Sequence, residues 1–462
     1  MGLTQEIAGW IVKSSYTDLP PETIEAAKGL LLKTITGMVA GSREPVGRTL
    51  TTYLSHQGGS PDAGVVCGRF RTSVENSAMA LGTFAHASEL EDDMIPGTAG
   101  DYWMLPAFFS LGESLVSSGA EIIMASVISF EVSNRLGMGG IGERAHTERH
   151  LCPTAWLGTI GTAAGAARLL KLGVKETVNA LSIAASHAGS LLAQVGTDSH
   201  FLESGHSCRA GVMSALLAKE GVTGQPDILE RKGGLLDVVG IENVDLRRDT
   251  EDIGKPPFAV HQVWVKKYPC CLLMHTAIDA LSMLVAENKV RNEDVSSVEV
   301  HQNVRALNFC SHPADSIPNL RFSFYHSLGE VLLRGTVDQS TFTQESKIVD
   351  PELDKARRKV KLVPNPEWTG PMTTGGATVV IVMNDGKKLS KHMDQPIGSP
   401  ESPLTNEQIA AINRQYVKGI LSDEQARRVE EIALNMDNEP DILELMDILT
   451  FRQAHQGIGD RH

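Results

Sequence analysis

From residue 1 to about 266, apolar positions recur every three to four residues, the period of helices that bury one face or more. Pro20 or Pro21 opens a run through Ala26, Leu30, Leu31 and Ile35, which Gly37 and Gly41 interrupt near a close approach. Further runs rich in Ala and Gly cover Leu105–Val116, Ala120–Leu136, Trp156–Leu172 and Val174–Val195. Small residues at this spacing let helix axes come close, so the pattern predicts a compact bundle rather than a long coiled coil.

The period changes at Ser296. Residues 297–301 alternate as a strand does, and Ala377–Met383 does so less cleanly before an Asn384-Asp385-Gly386 turn into Lys388-Leu389-Ser390. Ile348-Val349 and Val360–Val363 are further short strand candidates, and Leu404–Leu449 returns to a helical period. The expected architecture is therefore mainly α. It has a large all-helical domain, discontinuous over 1–266 and 395–462, and a smaller α+β domain with an antiparallel sheet over 267–394.

Composition narrows the function classes. A chain of 462 residues is longer than one typical domain, and 42% hydrophobic residues suffice for a large core. The formal charge of −14 argues against nucleic acid as a partner, which would need a basic face. It leaves room for an anionic small molecule, since a site needs only a local cationic cluster. Six cysteines, two of them adjacent as Cys270-Cys271, are too few for a disulfide framework and point to a reducing compartment. With no basic-then-apolar start and no run of about 20 apolar residues, a cytoplasmic protein without a membrane partner is expected. No G-x-G-x-x-G follows a strand and no P-loop occurs, so no nucleotide cofactor is indicated.

The most polar punctuation of the helical region is the stretch from Gly196 to Gly211. It is expected to be a loop that empties into a helix capped by Ser204, with His200, His206 and Arg209 near an anion-favouring N-terminus. A second constellation runs His86-Ala-Ser-Glu89-Leu-Glu91-Asp92-Asp93, with Asp101 downstream. Carboxylates this crowded either face water or are held against cations, because like charges raise one another's pKa. A third, His146 to Thr154, holds His150 and Cys152 ahead of a Gly- and Ala-rich helix. There a cysteine near a helix start, with arginines close by, is a candidate base or nucleophile of lowered pKa. Metal binding by Cys152, His150 and His146 lacks a second cluster of suitable spacing, so no metal is assigned. The fourth, Lys266-Lys267-Tyr268-Pro269-Cys270-Cys271 with His275 and Asp279, falls at the expected domain junction, a usual place for a small-molecule cleft. Arg321 and Tyr325 complete the candidates, as a carboxylate clamp and a proton donor.

These segments together resemble the MmgE/PrpD family, from Thr23 to about Gln453. Gly196, Thr197, Gly205, Arg209 and Gly211 match its Gly-Thr-x-x-Lys-Pro-x-His-x-Gly-x-Ala-Ala-Arg-x-Gly segment. His86, Glu91 and Asp92 match its His-x-x-Asp-x-Asp-Asp-Thr run, and Lys266 and His275 match its Lys-x-aromatic-Pro-x-Cys segment. The resemblance implies the two-domain plan, a homodimer, and cofactor-free proton chemistry on small organic acids. Four departures stand out: His200 replaces the family lysine, Cys152 and Ala99 replace family histidines, and Glu89 replaces an aspartate. The first three remove cations and donors, which points to a substrate less charged than a tricarboxylate.

The expected function is a lyase, of dehydratase or decarboxylase type. His200 would be the base, Lys266 would orient the acid or act from the other face, and Arg209 and His275 would stabilise an enolate, all in a cleft at the domain seam. Cys152 and His150 are the further catalytic candidates. His86, Asp93, Asp101, Arg321 and Tyr325 are expected to bind substrate. An isomerase or epimerase using the same proton step is the alternative, and a non-catalytic binding member is the second.

Overall fold

The computed structural model describes residues 2–94, 98–138, 141–239 and 251–451 of the chain. They form two compact units, one from the described residues of Met1–Val263 and Thr405–His462, the other from Trp264–Leu404. Lys266 therefore lies in the second unit.

The first unit is helical: α1 (Leu3–Lys13), α2 (Pro21–Gly41), α3 (Pro45–Gln57), α4 (Val74–Ala87), α5 (Leu105–Leu115), α6 (Gly119–Met138), α7 (Ile141–Arg149), α8 (Pro153–Leu169), α9 (Val174–His187) and α10 (Asp198–Lys219). A two-stranded antiparallel ribbon, β1 (Ala63–Gly64) with β2 (Arg71–Thr72), lies between α3 and α4. The chain returns to this unit through Asn406–Val417, Asp423–Leu434 and Leu443–Leu449. Thr36 on α2 donates to Asn413 at 2.9 Å, and Lys28 pairs with Asp437 at 3.1 Å, so the returning helices dock on α2.

Small residues set how close these helices come. Gly37 does not break α2, because its missing side chain lets α2 meet α4, where a Cβ would sit 3.0 Å from the Ala85 carbonyl. At the α4–α10 crossing, a Cβ on Gly82 would lie 2.8 Å from Cys208 Sγ and 3.0 Å from the Ser204 carbonyl. Ser204 donates across that crossing to the Gly82 carbonyl at 2.9 Å. Any larger residue at 82 or 205 would force the helices apart.

Two expectations for this region are corrected. The Gly196–Gly211 stretch is helical from Asp198, with Thr197 at the N-cap, so Ser204 lies inside the helix and caps nothing. Helix α9 stops at His187 rather than running to Val195, and the loop after it carries Gly189 and Ser190.

The second unit holds a four-stranded sheet in the order β4-β3-β5-β6, from β3 (Val295–Gln302), β4 (Val360–Pro364), β5 (Ala377–Met383) and β6 (Lys388–Met393). β5 pairs antiparallel with both β3 and β6, the latter across the expected Asn384-Asp385-Gly386 turn. β4 instead runs parallel to β3, Val298 opposite Val360, so the sheet is mixed rather than antiparallel. A parallel return needs a long crossover, and the helices Val304–Phe309, Phe324–Arg334 and Pro351–Arg357 supply it. Ile348-Val349 forms no strand; it follows a 3-10 turn, and Val349 is 77% exposed. Helix His275–Asn288 covers β5 and β6.

Candidate functional site

Three of the sequence constellations converge in the first unit. α4 carries His86 in its last turn, and α10 carries His200 in its first. The two imidazoles meet edge to face, with centroids 4.6 Å apart. Phe201, Tyr102 and Trp103 close around His86 at 5.2, 4.5 and 5.6 Å. Both histidines are buried, His86 at 1% and His200 at 9% exposure.

A carboxylate orients His200. Its Nδ1 lies 3.2 Å from Glu203 Oε2, one helical turn on. An ionised carboxylate only accepts, so Nδ1 carries the proton and a neutral ring keeps Nε2 as its acceptor. No described residue bonds to Nε2. The other oxygen of Glu203 accepts from the Leu191 backbone at 3.1 Å and fixes the carboxylate in turn. Glu203 was absent from the sequence candidates because its stretch reads as loop; helical i, i+3 spacing is the signal that finds it.

The acidic run after α4 is held inward against a cation rather than turned to water. Glu89, Glu91 and Asp92 are all buried, and Lys33 from α2 lies 3.4 Å from Asp92 and donates to the Leu90 carbonyl at 2.5 Å. Asp101 is committed within this turn: Thr34 donates to one of its oxygens at 2.6 Å and the Asp92 backbone to the other at 2.8 Å. Burial raises its pKa, against the lowering effect of these bonds. Both of its oxygens are thus engaged in shaping the turn. Asp93 accepts from the Tyr102 hydroxyl at 3.3 Å. Burial, with Asp93 and Glu91 beside it, pushes that phenol well above its usual range, so it remains a proton donor.

Cys152 approaches this cluster from the third constellation. Residue 151 bridges to 191 in antiparallel fashion, and the His150 carbonyl accepts from the Leu192 backbone at 3.0 Å. Cys152 sits at the N-cap of α8, its Sγ 2.8 Å from Thr154 Oγ1. Burial drives its pKa up, and Thr154 and Ser190 only partly offset this. The expectation of a lowered pKa is thus corrected: desolvation outweighs the helix terminus, and the thiol stays protonated. His150 is exposed, its backbone in the left-handed region at φ 54.

On the outer side of Glu203 lies an open cleft of about 500 Å³, lined by His187, Ser190, Leu191, His206 and Arg209 among others. Burial and Arg209 hold the His206 pKa down. The Arg209 guanidinium rests on Met79 Sδ at 3.7 Å. Met79 is seven residues before His86 on α4, a rise of about 10 Å, and Glu203, the partner of His200, lines the same cleft as Arg209. Ala99, at the place of a family histidine, is fully buried.

In the second unit, Lys266, His275 and Arg321 are all buried. His275 Nε2 donates to the Cys270 carbonyl at 3.2 Å, and its ring lies 5.1 Å from that of Tyr268. The Cys271 backbone donates to the Arg321 carbonyl at 2.9 Å, which joins the two segments. Asp279 organises the corner, accepting from Tyr268 at 2.8 Å, Lys267 at 3.1 Å and the Ile397 backbone at 2.9 Å. Tyr325 is half-buried in the first turn of its helix.

A helical unit crossed by paired small residues, with a polar cluster between α4 and α10 and a separate mixed-sheet unit, defines a two-domain class. The MmgE/PrpD N-terminal domain matches residues 5–246 and the MmgE/PrpD C-terminal domain residues 268–438, and the chain belongs to the MmgE/PrpD family. Relatives include cis-aconitate decarboxylase of Aspergillus terreus, 26% identical over 97% of this chain and 96% of its own. The cis-aconitate decarboxylase of Mus musculus is 24% identical over 88% of this chain and 85% of its own, and that of Homo sapiens 23% over 97% and 94%. No described helix is long and apolar enough to cross a membrane.

Proposed function

We propose that this chain is a lyase of the dehydratase or decarboxylase type that takes a proton from the carbon next to a carboxylate or carbonyl of a small organic acid. The observation that carries the reading is the His200–Glu203 pair. A carboxylate on Nδ1 fixes the tautomer, leaves Nε2 to accept a proton, and stabilises the imidazolium that forms. Tyr102, kept protonated by its surroundings, supplies a nearby acid to reprotonate an intermediate or to assist a leaving group. Relatives named for the decarboxylation of cis-aconitate favour elimination or decarboxylation over epimerisation.

The surroundings also bear on the substrate. Glu89, Glu91, Asp93 and Glu203 lie on the two segments that carry the histidines, and a trianion approaching them would be repelled. An acid with one or two carboxylates fits this field better. Cytoplasmic location and a homodimer belong to the same proposal.

The test is exchange in deuterium oxide with a panel of small mono- and dicarboxylic acids, followed by nuclear magnetic resonance. Deuterium entering one acid with wild type but not with His200→Ala supports the reading. An absence of exchange across the panel, with the fold intact, points to a binding member of the family. Lys266→Ala is the matched variant, in which loss of exchange assigns that lysine a catalytic part and retention removes it.

A further inference from the structure

We propose that His86, Glu89 and His200 form a binding site for a divalent transition-metal ion of the zinc class. Each offers one ligand atom, and the three atoms lie within 4.8 Å of one another, all on buried residues. Zinc bonds of about 2.0–2.2 Å in tetrahedral geometry require donors about 3.4 Å apart, so rotamer shifts of roughly 1 Å would close the three around an ion. Two imidazoles and one carboxylate suit zinc, cobalt or iron, whereas magnesium and calcium want oxygen donors throughout.

The scaffold around the triad has the features of a metal site. His86 and Glu89 are an i, i+3 pair across the end of α4, and Glu89 holds a left-handed backbone at φ 55. That conformation is strained for a non-glycine residue, and it shapes the turn from which the carboxylate joins the histidines. Glu203 on His200 Nδ1 is the outer carboxylate that metal-bound histidines commonly carry; it leaves Nε2 as the nitrogen a metal would take. Two of the departures from the family pattern fall on the triad itself. A lysine at 200 would repel a cation, where an imidazole binds one, and a glutamate at 89 reaches one methylene further than an aspartate.

The binding claim stands on these donors alone. Its consequence rests on the catalytic reading above: a metal on Nε2 takes the lone pair that would accept the substrate proton, so occupancy and proton abstraction exclude each other. Zinc would then inhibit, and chelation would restore activity.

The full chain, stripped with EDTA, is titrated with zinc chloride by calorimetry, and with cobalt chloride by visible absorption. The expected result is one tight site per chain, with cobalt bands of a four- or five-coordinate ion. Affinity should fall at least about 10-fold in Glu89→Gln and in His200→Lys, and stay unchanged in His56→Ala, at an exposed position of α3. Circular dichroism confirms that each variant is folded; should one fail to fold, the other decides. Equal affinity in wild type and folded triad variants, or no binding above that of exposed histidines, overturns the site. Zinc binding at the triad without loss of deuterium exchange sinks the His200 base and leaves the metal site standing. Exchange that depends on His200, with no zinc binding, does the reverse.

Discussion

Two buried histidines, one in each unit, show how the same side chain serves opposite ends. His326 is fully buried on helix Phe324–Arg334, and both of its nitrogens are spent. Nε2 donates to the Thr341 carbonyl at 2.8 Å, and Nδ1 accepts from the Arg357 guanidinium at 2.9 Å. Burial, with Arg357, Lys347 and Arg334 nearby, pushes its pKa down to about 3. Lys347 in turn pairs with buried Glu330 at 2.7 Å. His200 has one nitrogen committed to Glu203 and a neighbouring imidazole rather than a second bond. Burial alone therefore does not separate scaffold from chemistry. What separates them is whether a nitrogen is left over once the local bonds are made.

The sharpest break of this contrast is kinetic. His200→Ala should lower the rate of substrate proton exchange per folded molecule by about 10²–10⁴-fold, because it removes the proposed base; the stability lost with this buried ring is read separately from the urea midpoint. His326→Ala should do the opposite. It leaves Arg357 and the Thr341 carbonyl each short of a buried bond, at a cost of about 2–4 kcal/mol in urea unfolding, with the exchange rate per folded molecule unchanged. An exchange defect in folded His326→Ala would remove the distinction.

Acid gives a graded version of the same test. His326 is neutral in the fold and binds a proton on unfolding, so its contribution is complete above the unfolded value of about 6.5 and is lost as the pH falls from there toward 3. The slope from this residue is about 1.4 kcal/mol per pH unit. His326→Asn, which cannot titrate, should show a flatter decline in stability between about pH 6 and 4 than wild type. Glu203→Gln should lower exchange about 10-fold, since an amide no longer dictates the tautomer of His200. Arg209→Ala should change the exchange rate least, by a few-fold at most through KM, since its guanidinium rests on Met79, about 10 Å along α4 from His86. A loss comparable to that of His200→Ala would bring Arg209 into the site.

The sequence was legible wherever a local rule governs. Periodicity revealed the helices and most of the strands, and the Asn384-Asp385-Gly386 turn was visible because its backbone needs those residues. The family pattern picked out His86, Lys266 and His275 by their neighbours in the chain. Where it misread, a longer-range force had taken over. Gly196–Gly211 reads as loop from its polar content, but α10 is stabilised by packing Gly205 and Cys208 against α4, and propensity yields to that. Cys152 stands at a helix start, yet desolvation sets its pKa.

The order of apolar and small residues along the chain thus determined the helical bundle, the sheet-bearing second unit and the positions where helices cross closely, because burial and close packing act on every residue in its own place. Only the tertiary structure decided that His86, Glu89 and His200, more than a hundred positions apart at their widest, meet around one point, and that Arg209 lines a cleft with Glu203. Likewise only the fold raised the pKa of the Cys152 thiol and gave Glu203 to His200. Distances and desolvation are properties of what surrounds a group in space, and no spacing along the chain records them.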